Sequence, residues 1–204
     1  RKNGLNRITI VEQGVCGTES SWAAAGMLGP QVDADEAGPF FDLCCESRDL
    51  FPDLAAELLD ETEIDIELDR SGTLSVAFND EDTDQLLGRS RWQREKGLEH
   101  EQLDSKEILE LEPQVSQSVQ FGLYFPNDWQ VENRRLLFAL SRYAELSGIE
   151  IRESSHVSGV IVENGRAVGV RANEGEIRAD VVIIATGAWT SLIEVGTHVM
   201  PFEI

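Results

Sequence analysis

Apolar and polar positions alternate between two periods along the chain. Ile8-Thr9-Ile10-Val11 is a short apolar run rich in β-branched side chains, which predicts a strand covered on both faces, as in a parallel sheet. It ends at Glu12, and Gly14 and Gly17 mark a loop. Ser20-Ser21-Trp22-Ala23-Ala24-Ala25-Gly26-Met27-Leu28 follows, built mostly from small side chains. Such a run suits either close backbone approach to something flat or tight helix packing. From Pro39 to Asp60, Phe40, Leu43, Leu50, Leu54, Leu58 and their neighbours recur at helical spacing, with Pro52 as a kink or a break. Gly72 to Phe78 alternates as a strand, with Leu74, Val76 and Phe78 on one face. Asp80 to Lys96 reads as a polar helix. Asp104-Ser105-Lys106-Glu107 predicts a capping box opening a helix to Leu111. Gly122 to Phe125 predicts a strand, and Asn133 to Ser147 an amphipathic helix with Gly148 at its end. Asn164-Gly165 predicts a hairpin between Val157–Val162 and Ala167–Arg171, and Asn173-Glu174-Gly175 a second turn. Val181-Val182-Ile183-Ile184 predicts a last strand, again covered on both faces, running into Ala185-Thr186-Gly187-Ala188-Trp189. The two covered strands are expected side by side, with their carboxyl ends together.

Strand alternates with polar helix between residues 60 and 125, a texture unlike the flanking parts. This predicts a second domain inserted between two halves of the first, within an α/β chain. Composition then narrows the partners. Lys plus Arg number 17 against 38 Asp plus Glu, a formal charge of −21 over 204 residues. Such a surface repels phosphate backbones and anionic lipid heads, so neither nucleic acid nor membrane is an expected partner. No apolar run approaches the roughly 20 residues that span a bilayer. Cys16, Cys44 and Cys45 make no disulfide framework, which points to a reduced, cytoplasmic setting. His100, His156 and His198 are scattered, and no metal site is expected. Arg1-Lys2-Asn3-Gly4 reads as the tail of a helix, and Met200–Ile204 stops in an apolar stretch. The chain is therefore expected to be an internal piece of a longer protein.

Few residues stand out as chemistry. An acidic residue closing a parallel strand, as Glu12 does, is placed to accept hydrogen bonds from the ribose hydroxyls of a dinucleotide; it is also the ordinary form of a solvated strand end. Small residues at Ala185-Thr186-Gly187 let a cofactor lie against backbone, or simply make a tight turn. Ser20 and Ser21 offer hydroxyls at a helix start, suited to a phosphate or to an N-cap. Met27 is by default a core filler and Asp128 a turn residue. No Ser-His-Asp or Cys-His arrangement can be argued.

In order and spacing, Ile8-Thr9-Ile10-Val11-Glu12, Ser20–Leu28, Leu111-Glu112-Pro113, Leu123–Asp128, Arg134-Arg135-Leu136-Leu137 and Ala185-Thr186-Gly187-Ala188-Trp189 closely resemble the D-amino-acid oxidase family of FAD-dependent oxidoreductases, and within it the glycine oxidases of thiamine biosynthesis. The resemblance covers nearly the whole chain. It implies a partial Rossmann-like FAD-binding domain with a parallel sheet and a β-meander, in segments 1–60 and 125–199. It implies part of an antiparallel-sheet substrate domain at 61–124, to which 200–204 begin the return. Carried over by position, Glu12 would hold the adenosine ribose with Gln13 beside it. Ser20 and Ser21 would meet the pyrophosphate, and Ala25, Gly26 and Met27 would pass the flavin ring. Val157 would contact the adenine through its backbone, and Ala185, Thr186 and Gly187 would border the adenosine half. The implied substrates are a small amino acid and dioxygen, with self-association left open. The family's Gly-x-Gly-x-x-Gly, Gly-x-Arg-Pro and substrate-clamping arginine have no counterpart here, so no catalytic residue is assigned. A flavin-dependent dehydrogenase of D-amino or hydroxy acids, or an inactive interaction module, stands as the alternative.

Overall fold

A computed structural model describes residues 7–196 and the backbone of His198–Val199. The expected helix tail at 1–4 and the apolar end at 200–204 lie outside the described residues. The chain divides into two compact units, Arg1–Ser20 with Ala144–Ile204, and Ser21–Tyr143.

In the first unit, β1 (Thr9–Val11) pairs in parallel with β7 (Glu150–Arg152), in register Thr9↔Glu150 to Val11↔Arg152. β8 (Val157–Glu163), β9 (Arg166–Ala172) and β10 (Gly175–Arg178) form an antiparallel meander. Asn164 and Gly165 both take positive φ, 51° and 74°. That is the mirror-image turn whose twist matches two right-twisted strands. β11 (Glu194–Val195) joins the outer edge of β8 in parallel, and β12 (His198–Val199) pairs with β11.

Two expectations fail here. Val181–Ile184 forms no strand and pairs with none among the described residues, and Val181 and Ile183 are 63% and 80% exposed. The described neighbour of β1 is β7, not this segment, and Ile10 in β1 is itself 41% exposed. An apolar run states how much surface a segment would gain by burial; it does not name the partner that supplies cover. β7 carries little hydrophobic signal, because Glu150 and Arg152 flank its single apolar residue, Ile151.

In the second unit, α3 (Pro39–Asp49) and α4 (Phe51–Thr62) meet at Leu50, and Pro52 opens the second helix, where its missing N–H costs nothing. Leu58 and Ile66 pack with Val131 and Ala139 in one core. The sheet β3 (Thr73–Ala77), β5 (Phe121–Phe125) and β4 (Glu101–Asp104) is antiparallel, with β5 central. Small Ser75 and Ala77 stand opposite large Leu123 and Phe121. α5 (Asp80–Glu95) covers that face through Leu86. α6 (Ser105–Leu111) lays buried Ile108 over Gly122 on the other face. The capping box is present, with the Asp104 carboxylate accepting from Lys106 and Glu107 amides and Glu107 accepting from the Asp104 amide. α7 (Asn133–Leu146) follows, running from the second unit into the first. No helix among the described residues is long and apolar enough to cross a membrane.

Candidate functional site

The predicted site residues are divided between the two units. Glu12 continues the parallel ladder past β1: its amide donates to the Arg152 carbonyl at 2.9 Å, and its carbonyl accepts from the Ser155 amide at 2.9 Å. One carboxylate oxygen, Oε1, accepts from the Gly14 amide at 2.8 Å, which turns the side chain back over its own loop. The other oxygen has no hydrogen-bond partner among the described residues. Gln13 follows, its Oε1 3.4 Å from Nδ1 of His156. Val157 begins β8 beside them, paired with Ala172. Glu12, Gln13 and the Ser155–Val157 segment thus form one cluster at the carboxyl end of the parallel pair, the position where open α/β sheets take ligands.

Ser20 opens α1 (Ser20–Ala23), a single exposed turn that also holds Ser21. Ala185 and Thr186 lead into the 3₁₀ turn Gly187–Leu192, and the Thr186 hydroxyl lies 3.1 Å from that of Thr190. No hydrogen bond among the described residues joins this turn to the Glu12 loop.

In the second unit, Asn133 Nδ2 donates to the Ser21 and Trp22 carbonyls at 2.6 and 3.2 Å, and the Arg134 guanidinium lies 5.0 Å above the Trp22 ring. Ala25 is exposed and Met27 is 48% exposed, so Met27 is not the core filler its type suggests. Gly26 has φ +77°, and a Cβ there would stand 2.0 Å from the Val131 carbonyl oxygen. The Gly26 carbonyl accepts from the Val131 amide at 2.9 Å. Backbone crossing backbone therefore accounts for that glycine. Met27 and Leu28 make strand β2, paired with β6 (Trp129–Gln130).

Sequence reasoning missed two arrangements. The first is the loop around Ser155. Ser155 is buried, its hydroxyl donates to Glu174 Oε1 at 2.5 Å, and this bond holds the Glu174 carboxyl below its ordinary range. The Asn173-Glu174-Gly175 turn carried the signal, but it read only as a turn. The second is Asp128, which has no exposed surface. Its oxygens accept from the Gln31 and Val32 amides at 3.2 and 2.7 Å, at the start of α2 (Pro30–Asp33), and Arg48 lies 3.8 Å away. Burial pushes the Asp128 carboxyl above its ordinary value, against the pull of those amides and of Arg48. A groove of about 580 Å³ along α5, lined by Arg91, Arg94 and Gln102 among others, holds none of the predicted residues. Among the described residues no group of His, Cys, Asp and Glu is placed to hold a metal ion.

Against known proteins, the family model described as FAD dependent oxidoreductase (DAO) matches residues 1–203. The glycine oxidase of Geobacillus kaustophilus (strain HTA426) is 34% identical over 187 residues, which cover 91% of this chain and 49% of that protein. The bifunctional protein ThiO/ThiG of Trichormus variabilis is 31% identical over 170 residues, 83% of this chain and 26% of that protein. The crystal structure of glycine oxidase from Geobacillus kaustophilus superposes with a TM-score of 0.85 at 33% identity, over 91% of this chain and 50% of that one. The chain spans about half the length of the curated glycine oxidases it matches.

Proposed function

The chain belongs to the DAO family of FAD-dependent oxidoreductases, and from that premise we propose that the protein oxidises the C–N bond of glycine or a similar small amino acid. Dioxygen is the acceptor and leaves as hydrogen peroxide, and water hydrolyses the released imine to the oxo acid and ammonia, in the service of thiazole formation for thiamine. Bound FAD supplies the hydride acceptor.

The observation that carries this reading is the Glu12 cluster. A ribose diol needs a carboxylate acceptor that is held still and retains a free oxygen. Glu12 has one oxygen committed to the Gly14 amide and one without a partner among the described residues, at the end of a parallel strand. The donor and acceptor set therefore fits the adenosine half of the cofactor. Gln13 and the Val157 backbone lie in the same cluster, and Ala185, Thr186 and Gly187 supply a small-residue border. Ser20 and Ser21 offer exposed hydroxyls to the pyrophosphate, and exposed Ala25 and Met27 with Gly26 offer a low surface to the flavin ring. In this reading the residues of the chain bind and orient, and none of them moves a proton.

The test uses the protein at the length its coding sequence specifies. Reconstituted with FAD, it is expected to be yellow and to release peroxide with glycine or sarcosine. Reduction of an artificial dye with little peroxide would replace the oxidase reading by a dehydrogenase of the same fold. A colourless protein that takes up no FAD would overturn both.

A further inference from the structure

Three loops are braided behind the Glu12 carboxylate. Residues 12–16 meet residues 152–156 through Glu12 N–H to Arg152 O, Ser155 N–H to Glu12 O and Ser154 N–H to Gly14 O, each 2.9 Å. The Cys16 amide donates to Glu153 Oε1 at 2.8 Å. Residues 152–156 meet the turn between β9 and β10 through His156 N–H to Asn173 Oδ1 at 3.1 Å and Asn173 N–H to His156 O at 3.0 Å. Ser155 belongs to both seams. Its backbone holds the Glu12 carbonyl, and its hydroxyl reaches Glu174.

The backbone is bent to make this happen. Ser154 has φ +55°, a left-handed conformation uncommon for a non-glycine residue. Both consecutive amides, Ser154 and Ser155, are spent on the 12–14 loop. Ser155 is 3% exposed, so its hydroxyl is sequestered, and Glu174 reaches in from an exposed turn to receive it.

We propose that Ser155 and Glu174 are positioning residues for Glu12, a latch that fixes the ribose-binding carboxylate and so sets selectivity for flavins that carry an adenosine half. This rests on the reading of Glu12 given above. Without the latch, the Ser155 amide that holds the Glu12 carbonyl is no longer anchored through its side chain, and the carboxylate wanders relative to a ribose.

The experiment measures dissociation constants for FAD and for riboflavin 5′-phosphate, which lacks the adenosine, by quenching of flavin fluorescence in the full-length protein. The variants are Ser155→Ala, Glu174→Ala, their double, and Glu12→Ala as a reference. Glu174 is exposed, so its replacement tests the latch even where Ser155→Ala fails to fold. Each single variant is expected to weaken FAD about tenfold, the scale of one lost hydrogen bond to a charged group, and to leave riboflavin 5′-phosphate unchanged. The double is expected to be no worse than either single, because both ends belong to one bond. Restoration of FAD affinity by Ser155→Thr, which returns the hydroxyl, completes the expected pattern. FAD affinity within twofold of wild type in Glu174→Ala, or equal weakening of both flavins, overturns the latch while Glu12→Ala still loses FAD selectively. If Glu12→Ala itself fails to discriminate the two flavins, the placement of the adenosine half is wrong and the latch falls with it.

Discussion

In the second unit, Asp128 is a buried acceptor that ties two segments distant in sequence. Its two oxygens are the acceptors for the amides of Gln31 and Val32, at 3.2 and 2.7 Å, and the side chain has no exposed surface. In Asp128→Ala both amides lose their partner, that of Gln31 in a buried position and that of Val32 in a half-buried one. Each orphaned buried donor costs about 1–3 kcal/mol, offset in part by the relief of a desolvated carboxylate. The net expectation is a loss of about 3 kcal/mol. Arg48, 3.8 Å from Asp128 and 5.6 Å from the centroid of the Trp129 ring, loses one counter-charge but keeps Asp49 at 2.8 Å. Urea unfolding followed by tryptophan emission should show the midpoint fall by roughly 1.5 M, at about 2 kcal/mol per M. A midpoint shift below about 0.3 M at unchanged slope would refute the reasoning, since the two amides would then have found other acceptors.

Other expectations follow from the same geometry. Because burial holds the Asp128 carboxyl above its ordinary value, the folded chain keeps that proton to higher pH than the unfolded chain does. The stability it contributes is complete below the unfolded value of 3.8 and is lost as pH rises through the folded value. Wild type should therefore lose stability relative to Asp128→Asn across the window just above pH 3.8, in denaturant titrations at stepped pH; parallel curves would contradict it. Gly26→Ala puts a methyl group 2.0 Å from the Val131 carbonyl oxygen at a positive φ. It should cost about 3 kcal/mol or prevent the β2–β6 pairing, read as a lowered melting temperature. Asp104→Ala removes the cap from α6 and should cost about 1 kcal/mol in the same assay. Ile108→Ala empties a fully buried position and should cost about 2–5 kcal/mol.

Local chemistry made most elements legible. The Asp104 capping box, the Asn164-Gly165 hairpin and the break before Pro52 each depend on a few neighbouring residues, and each appears where its residues stand. Pairing over long sequence distances was not legible. Val11 meets Arg152 across the whole second unit, and nothing in Glu150-Ile151-Arg152 announces a parallel strand. The error over Val181–Ile184 has the same origin, since apolar content alone does not say which segment will lie alongside. At the candidate site, Glu12 could be picked out because a carboxylate after a β-branched run has a known use. Ser155 and Glu174 could not, because their meaning lies in a 2.5 Å bond between two loops that each look like ordinary turns. Asp128 likewise read as a turn residue. Its role depends on the amides of residues 97 and 96 positions away.

The hairpin tip at Asn164-Gly165 carries a practical consequence. Both residues are exposed, and a Cβ added at Gly165 would touch nothing. Extra sequence spliced in between them would project into solvent, with the ladder beneath already closed by Val162↔Ala167 and Glu163↔Arg166. An affinity handle or fluorophore belongs at this corner, since a graft at 12–16 or 152–156 would pull a thread from the braid.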